Sequence, residues 1–228
     1  MLHNILWQQN AHLAEACLHH PFIRGLADGS LDSETFRRYV AQDAFFLSAF
    51  ARAHAFAAAR SPDMATFAHL CALLNGVLRE RQLHAAFAKE LKIDLDRVQP
   101  LPAVAVYTDF LLATAGQREP GETIAAMTPC MRLYGYLGTS LAETLVAGNP
   151  YQAWIAAYSG PDFQCLVEQV ESLSNSMAEN SLAVRDAYAH AMQCEFNFFS
   201  AMLEHTRHDM TFNLPINPTG KELSHADH

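Results

Sequence analysis

The apolar residues of this chain recur at three- and four-residue intervals along almost its whole length. No segment shows the sustained two-residue alternation that a half-buried β-strand requires, so the pattern predicts an all-α protein. The predicted helices cover residues 4–18, 22–29, 32–60, 63–91, 103–115, 122–147, 151–158, 162–178 and 181–205. Pro129 falls inside the sixth of these helices, where it must either kink the helix or lie in one of its early turns.

The length and the composition favour a single helical bundle around one core. With 228 residues, of which 50% are hydrophobic and 17% are charged, the chain has enough apolar surface to fold as one domain. We assign this domain to residues 1–212, because from Asn213 onward the sequence is polar and contains Pro215, Pro218 and Gly220. Residues 213–228 are interpreted as a C-terminal tail whose composition is compatible with disorder.

The charge balance excludes two classes of partner. Lys and Arg number 15 against 24 Asp and Glu, which gives a net charge of -9, and no basic cluster interrupts the acidic balance. Nucleic acids and anionic membranes attract clustered positive charge, so we expect neither as a partner.

No apolar run approaches the roughly 18 residues that a membrane-spanning helix needs. The first ten residues do not resemble an export signal.

The cysteines are typical of free thiols in a reducing cytoplasm, where we expect this protein to be. There are five, an odd number without a Cys-x-x-Cys pair: Cys17, Cys71, Cys130, Cys165 and Cys194. Cys130 lies one helical turn from Tyr134 on one predicted face. Taken alone, Cys130 is best interpreted as a small buried hydrophobe.

Two carboxylates interrupt predicted buried stripes. The stripes are Phe36, Val40, Asp43, Leu47 and Phe50 in the third helix, and Tyr188, Met192, Glu195, Phe199 and Met202 in the last. An ionised carboxylate that is buried alone costs several kcal/mol or shifts its pKa upward, so each acid needs a partner, a ligand or a chemical role. Either acid alone could be structural. Two acids on separate helices favour a shared function.

Tyrosines also fall at predicted buried positions. Tyr107 shares a stripe with Val104 and Leu111, and Tyr158 ends a short helix. Each could be an ordinary core aromatic whose hydroxyl needs a partner. Together with the two acids and the Cys130 thiol, they could instead line a dry pocket for a flat, hydrogen-bonding heterocycle.

Several short motifs between Leu6 and His205 are specific in their joint order and spacing. They are His20-Pro21-Phe22 with Gly25 and Asp28-Gly29, then Phe36, Tyr39 and Gln42-Asp43, then Pro129-Cys130 with Leu133-Tyr134 and Gly138, then Trp154 to Tyr158, and Glu195 to Phe199. In these motifs the chain resembles the thiaminase II (TenA) family. The resemblance implies a single helical domain of the haem-oxygenase-like type that usually forms a homotetramer.

The resemblance also implies an activity. Family members that have the helix cysteine hydrolyse 4-amino-5-aminomethyl-2-methylpyrimidine to the 5-hydroxymethyl compound and ammonia in thiamine salvage, and can cleave thiamine. Because Pro129-Cys130 and Leu133-Tyr134 match the motif, the chain resembles this cysteine subgroup. The implied ligand is a small aminopyrimidine or thiamine, with no metal or organic cofactor.

Residue roles follow from the same resemblance. By position, Cys130 is the implied nucleophile, Glu195 the acid/base and Asp43 the acid that holds the aminopyrimidine. The residues implied to stack on the ring or to hydrogen-bond with it are Tyr107, Tyr134, Tyr158 and Phe198. Phe46 stands where the family often has a tyrosine, so one pocket hydroxyl is missing. Apart from the resemblance, two neighbours on its own helix could modestly activate Cys130 and lower its pKa: Pro129, which frees backbone groups in that turn, and Tyr134, whose hydroxyl can donate to a thiolate.

Three alternatives stay open. A di-iron bundle uses Glu-x-x-His motifs, which the predicted helices lack. We therefore interpret the following histidines as surface or satisfied core residues: His12, His19, His54, His69 and His84. A haem-binding relative would use His12, His19 or His20 as its proximal ligand. A non-catalytic binder would keep the pocket without turnover, although the presence of both Cys130 and Glu195 argues against it.

Overall fold

The computed structural model describes the backbone of residues 1–211 and the side chains of residues 1–203. This part of the chain forms ten α-helices and one 3₁₀ turn (Leu95–Arg97), which confirms the all-α prediction. The helices are α1 (Leu2–Gln9), α2 (Ala11–Leu18), α3 (Pro21–Asp28), α4 (Ser33–Ala59), α5 (Met64–Glu90), α6 (Pro102–Gln117), α7 (Pro120–Ala142), α8 (Gln152–Ser159), α9 (Pro161–Met177) and α10 (Leu182–Thr211). None of these helices combines the length and the apolar character that a bilayer span requires. The predicted tail, 213–228, lies outside the described residues.

Helix α7 lies at the centre of the bundle. It packs against α8, α9 and α10, while α4 packs against α5 and α6 and also contacts α7 and α10. Most side chains of α7 between Thr123 and Leu141 are buried. A helix that is apolar nearly all round is stable only when neighbours cover it on several sides. Cys130, in the middle of α7, is therefore enclosed by other helices.

The two long helices α4 and α5 begin at aspartate caps. The Asp32 carboxylate accepts hydrogen bonds from the N–H groups of Glu34 (3.1 Å) and Thr35 (3.0 Å). Asp63 accepts one from the N–H of Thr66 (2.8 Å). Such caps satisfy N–H groups that have no partner inside the helix. They fix where each helix starts, and thereby the direction in which its later side chains point.

The first predicted helix, 4–18, is two helices in the structure. The backbone leaves helical geometry at Asn10 (φ −110°, ψ 11°), and the Asn10 side-chain amide donates to the Leu6 carbonyl over 2.8 Å. An asparagine that bonds to nearby backbone competes with continuation of the helix. The prediction of one continuous helix is wrong because apolar periodicity carries no information about this local bond.

Helix α7 ends earlier than the predicted helix 122–147. After its last residue the backbone turns more tightly, and the Thr144 N–H donates to the Leu141 carbonyl over 3.2 Å. Pro129 lies in the interior of α7, and the helix continues on both sides of it. Because proline has no N–H group, the carbonyl one turn earlier loses its usual donor.

Helices α7 and α8 approach each other closely at Gly138. A Cβ atom at this position would lie 2.6 Å from the carbonyl carbon of Tyr158 and 2.7 Å from its Cβ. Glycine alone leaves room for a backbone this close. The contact sets the position of Tyr158, whose side chain is buried in the core.

Candidate functional site

Glu195 of α10 receives two hydrogen bonds from other helices. The Tyr107 hydroxyl of α6 donates to Glu195 Oε1 over 2.7 Å. The Cys130 thiol of α7 donates to the same carboxylate. All three side chains are buried. The structure thus places the predicted nucleophile in direct contact with the predicted acid/base.

Enclosure changes the protonation of Glu195. Burial raises the pKa of its carboxyl to about 7, although the hydrogen bonds from Tyr107 and Cys130 oppose the rise. A carboxyl with such a pKa can both accept and donate a proton near neutral pH, which is what general acid–base catalysis needs. Burial and the charge of Glu195 also raise the pKa of Tyr107 well above its usual range, so the Tyr107 hydroxyl stays protonated.

The Cys130 thiol is not activated in the predicted way. Burial raises its pKa well above the usual range. Three nearby carboxylates raise it further, those of Glu195, Glu80 and Asp43. The Tyr134 hydroxyl hydrogen-bonds with Tyr39 and not, as the sequence predicts, with the Cys130 thiolate. The prediction of a lowered pKa is therefore wrong, because it considered only neighbours on the same helix and not the acids that other helices bring.

A second polar group surrounds Asp43 of α4. His84 Nε2, on α5, lies 3.0 Å from Asp43 Oδ2 and 3.2 Å from the Tyr158 hydroxyl of α8. The Tyr158 hydroxyl donates to Glu80 Oε1 over 2.7 Å. Asp43, His84 and Tyr158 are buried, and Glu80 is half-buried. Four polar side chains from three helices therefore form one connected group.

Burial shifts the members of this second group toward their uncharged forms. It raises the pKa of Asp43 well above its usual range, with further contributions from the charges of Glu80 and Glu195. It raises the pKa of Glu80 to about 7 and lowers that of His84 to about 4. An Asp–His contact of this length could form an ion pair. In this enclosed place, the cost of desolvating both charges outweighs their attraction, and both groups are neutral.

Two atoms of the group have no hydrogen-bond partner among the described residues, Asp43 Oδ2 and His84 Nδ1. Oδ2 is close to His84 Nε2, but the Nε2–H direction favours Tyr158. A buried acceptor without a partner costs free energy that a ligand can recover. Asp43 Oδ2 is therefore available to a bound molecule.

Aromatic rings enclose both polar groups. The Phe46 ring centre lies 4.8 Å from that of Tyr107 and 6.1 Å from that of Phe198. The ring centres of Tyr134 and Tyr158 are 4.9 Å apart. The structure thus gathers all the site residues predicted from the sequence in one part of the core, namely Asp43, Phe46, Tyr107, Cys130, Tyr134, Tyr158, Glu195 and Phe198.

Glu80 and His84 also belong to the candidate site, although neither is predicted from the sequence as a site residue. The interpretation of His84 as a surface or satisfied core residue is wrong, because it is fully buried with an unpartnered Nδ1. A polar side chain within an apolar helical stripe, the pattern that predicted Asp43 and Glu195, is present in α5 as well. One face of α5 reads Leu73, Val77, Glu80, His84 and Ala88, all buried except the half-buried Glu80, with polar side chains at two successive positions.

Asp43, Glu80 and His84 are also the residues that could hold a metal ion. One ligand atom from each lies within 4.8 Å of the others. The motif Glu-x-x-His does not detect them, because Glu80 and His84 are four positions apart. In the structure, however, both His84 Nε2 and Glu80 Oε1 already bond with the Tyr158 hydroxyl. A cation would have to replace these hydrogen bonds, so the arrangement suits a polar organic ligand better.

The histidines considered for haem do not present a free nitrogen to the core. His12 and His19 are exposed. His20 Nδ1 accepts from the Phe22 N–H over 3.2 Å, and His20 Nε2 is 3.1 Å from the Ser200 hydroxyl. Both ring nitrogens of His20 are thus engaged, which argues against a proximal haem ligand at these positions.

A surface cavity of about 260 Å³ reaches the second polar group. Glu80 and Tyr158 line it together with Arg79, Asp162 and Phe163. Glu80 therefore borders both the solvent-connected cavity and the buried residues around Asp43.

Solved structures place this fold in a known class. A TenA homologue from Pyrococcus furiosus superposes with a TM-score of 0.83 at 22% identity, covering 89% of this chain and 100% of that chain. A domain with a heme oxygenase-like fold from Shewanella denitrificans gives a TM-score of 0.68 at 15% identity, covering 92% and 93%. The protein is thus an all-α bundle of the haem-oxygenase-like type, as predicted.

The sequence comparison is more specific. The profile of the TENA/THI-4/PQQC family matches residues 7–205, and the chain belongs to this family. It is 36% identical over 211 residues to the mitochondrial bifunctional TH2 protein of Arabidopsis thaliana, covering 81% of this chain and 34% of that protein. It is 32% identical over 166 residues to an aminopyrimidine aminohydrolase of Bacillus subtilis, covering 71% and 70%. The chain therefore spans about a third of the length of the plant protein.

Proposed function

We propose that this protein is an aminopyrimidine aminohydrolase of thiamine salvage. It converts 4-amino-5-aminomethyl-2-methylpyrimidine and water to the 5-hydroxymethyl compound and ammonia, and it also cleaves thiamine. The observation that carries the proposal is the hydrogen bond between the Cys130 thiol and the Glu195 carboxylate inside an aromatic enclosure. The name of the Bacillus relative supports the choice of substrate.

The first half of the reaction begins when the Cys130 proton moves to Glu195. The thiolate forms a bond to ring carbon C6, and the electron pair of the C6–N bond moves to the ring nitrogen, which takes the proton from Glu195, so the ring loses its aromaticity. Electrons of the ring and of the 4-amino group then expel the substituent on the 5-methylene group, and the 4-amino group becomes an imine by giving one proton to Glu195. The leaving amine takes that proton from Glu195 and departs as ammonia. A carboxyl with a pKa of about 7 can carry these protons near neutral pH.

The second half restores the enzyme. Water adds to the exocyclic methylene, the bond between sulfur and C6 breaks, and the ring becomes aromatic again. The water gives one proton to the imine, which becomes the 4-amino group again, and the ring nitrogen gives its proton to the sulfur. Glu195 can carry both protons. One water is consumed and one ammonia is released. With thiamine, the leaving group is the thiazole.

Asp43 is suited to hold the pyrimidine. A neutral carboxyl donates from one oxygen and accepts at the other, which matches a ring nitrogen beside an amino group. The unpartnered Asp43 Oδ2 is available for one of these bonds. Phe46 and Phe198 supply ring faces for stacking, since neither carries a hydroxyl that must find a partner.

The test is to incubate the purified protein separately with the aminomethylpyrimidine and with thiamine. We expect ammonia and the hydroxymethyl compound from the first, and the hydroxymethyl compound from the second. A chelator should leave both rates unchanged, and a loss that added metal restores would favour a metal enzyme. Ligand binding without product would indicate a non-catalytic binder, and a Soret band after addition of haem would indicate a haem protein.

We also propose that the protein acts as a homotetramer in the cytoplasm. Large apolar side chains are exposed on the single chain, among them Phe56, Leu78 and Val106, and contact with other copies would cover such surface. Light scattering should give about four times the chain mass of 25.3 kDa. A mass of one or two chains would contradict the proposal.

A further inference from the structure

The positions of the protons from Glu80 to His84 follow from the geometry. The Tyr158 oxygen lies 2.7 Å from Glu80 Oε1, a normal length for a hydroxyl that donates to a carboxyl oxygen. With its proton directed to Glu80, the Tyr158 oxygen is an acceptor toward His84 Nε2, 3.2 Å away. Nε2 therefore carries the hydrogen of the neutral imidazole, and Nδ1 is the bare nitrogen.

The same N–H group lies beside Asp43. His84 Nε2 is 3.0 Å from Asp43 Oδ2 in a place that excludes water, where such dipoles act strongly. The positive end of an N–H bond next to Oδ2 makes that oxygen the acceptor and disfavours a proton on it. The proton of the neutral acid then resides on the other oxygen. Before any ligand binds, one oxygen of Asp43 thus carries the proton and the other, Oδ2, is an acceptor.

We propose that Glu80 and His84 are positioning residues that fix which oxygen of Asp43 carries its proton, and that the site thereby selects a 4-aminopyrimidine over its 4-oxo analogue. The inference rests on the proposed function, which assigns Asp43 to the aminopyrimidine. An aminopyrimidine presents a ring-nitrogen acceptor beside an amino donor. The 4-oxo compound, with hydrogen on that ring nitrogen, presents a donor beside an acceptor.

Selection follows from the fixed proton. An acid whose proton moves freely between its oxygens could pair with either compound. An acid with a fixed proton opposes two donors and two acceptors in the 4-oxo complex, because the ring N–H then faces the acid O–H and the 4-oxygen faces the acceptor oxygen. Unpaired or opposed buried groups reduce affinity by about tenfold to a hundredfold. Glu80 takes part through Tyr158, because its carboxyl receives the tyrosine proton and so keeps the tyrosine oxygen an acceptor for His84.

The test measures the ratio of two affinities. Calorimetry gives Kd for 4-amino-5-hydroxymethyl-2-methylpyrimidine and for its 4-oxo analogue, with the wild-type protein, His84→Leu and His84→Gln. We expect the wild type to prefer the amino compound by at least about tenfold. His84→Leu should bring the ratio close to one. His84→Gln should keep most of the preference, because its amide N–H can take the place of Nε2–H.

Variants of the half-buried Glu80 provide an independent arm if the His84 variants do not fold. Glu80→Gln still offers an oxygen to the Tyr158 hydroxyl and should keep the preference, whereas Glu80→Leu should lose it. A fall in affinity that is equal for both ligands in the leucine variants would show a merely structural role and overturn the inference. Equal affinity of the wild type for the amino compound and its 4-oxo analogue would also overturn the inference. A wild type that does not bind the amino compound would refute the proposed function itself.

Discussion

The Cys130 thiol and the Glu195 carboxylate share a hydrogen bond between α7 and α10, in a place where the pKa of the thiol is raised and that of the acid is about 7. Many catalytic cysteines instead lie beside a cation that lowers the thiol pKa. In the proposed reaction, the sulfur becomes a nucleophile only when its proton moves to the neighbouring acid. The proposed role of the acid is therefore to control when the thiol attacks.

Replacement of Glu195 by Gln should remove the proton carrier and keep the shape. We expect kcat to fall roughly 10²- to 10⁴-fold while the fold survives. In the wild type, kcat/KM should rise with pH through about 7, because Glu195 must be ionised to accept the Cys130 proton. A pH–rate profile from pH 5 to 9 should lack this rise in the variant. Glu168→Gln, on the exposed side of α9, is the matched control, and near-normal turnover in the Glu195 variant would place the acid/base role elsewhere.

Replacement of Cys130 by Ser should abolish most turnover without loss of binding. The serine hydroxyl has nearly the same size, but it ionises far less than a thiol at neutral pH. Steady-state rates and Kd for the hydroxymethylpyrimidine check this expectation. Cys165 is free and exposed, so Cys165→Ser should keep full activity. Full activity in Cys130→Ser would rule out covalent catalysis by sulfur.

Iodoacetamide should modify Cys130 later than the exposed Cys165. Its buried thiol has a raised pKa and is protonated in the resting protein, so a limiting dose of iodoacetamide should label the exposed Cys165 before it. Peptide mass spectrometry identifies the order, and activity should persist until Cys130 is modified. Labelling of Cys130 first would restore the interpretation from sequence, in which its pKa is lowered.

The stability of the fold should depend on the proton of Glu195. The pKa of Glu195 is about 7 in the folded protein against an ordinary value of 4.5, so between these values the native state holds more protons than the unfolded state. The contribution of Glu195 is fully present below pH 4.5 and is lost as the pH rises through 7, a change on the order of 3 kcal/mol.

Urea unfolding at pH 5 and pH 8 measures this change. The buried His54 and His84, with pKa values lowered to about 4, act in the opposite direction between pH 4 and 6.5. The difference between the wild type and Glu195→Gln isolates the acid, and the variant should lose less stability between pH 5 and 8. Equal losses would show that Glu195 has an ordinary pKa.

Substitution of Gly138 by Ala should destabilise the protein by about 1–3 kcal/mol, because the new Cβ would overlap the Tyr158 backbone. It should also weaken binding by moving the Tyr158 hydroxyl away from Glu80 and His84. Gly116 is the matched control, since a Cβ there meets no atom within 4 Å. Gly116→Ala should stabilise α6 by roughly 0.5–1 kcal/mol. Equal unfolding midpoints for the two variants would contradict the close contact of α7 and α8.

The buried acids could be predicted from the sequence because helical periodicity is a local property. Asp43 and Glu195 stand within apolar stripes of their own helices, and the structure buries both. The burial of Cys130 and of Tyr107 could likewise be predicted from the apolar stripe of the helix that contains each residue. Their role in a shared site needed the family resemblance, since no spacing within one helix relates α6, α7 and α10.

The remaining features depend on neighbours that are distant in sequence. The pKa of Cys130 is set by carboxylates on other helices, which no pattern around Cys130 reveals. The contact of Asp43 with His84 requires α4 and α5 to pack in a particular register. The break at Asn10 depends on a single side-chain bond to the backbone. In each case the deciding interaction is a contact, and contacts follow only from the packed structure.

The Cys130–Glu195 bond joins residues that are synthesised well apart, the acid being on the last described helix. A ribosome that has completed α7 has made the thiol, but not the base that can take its proton. Until α10 has been made and has packed against α7, the nascent chain therefore has the cysteine without the acid that could take up its proton. The proposed catalysis is thus possible only after α10 has been synthesised and has packed against α7.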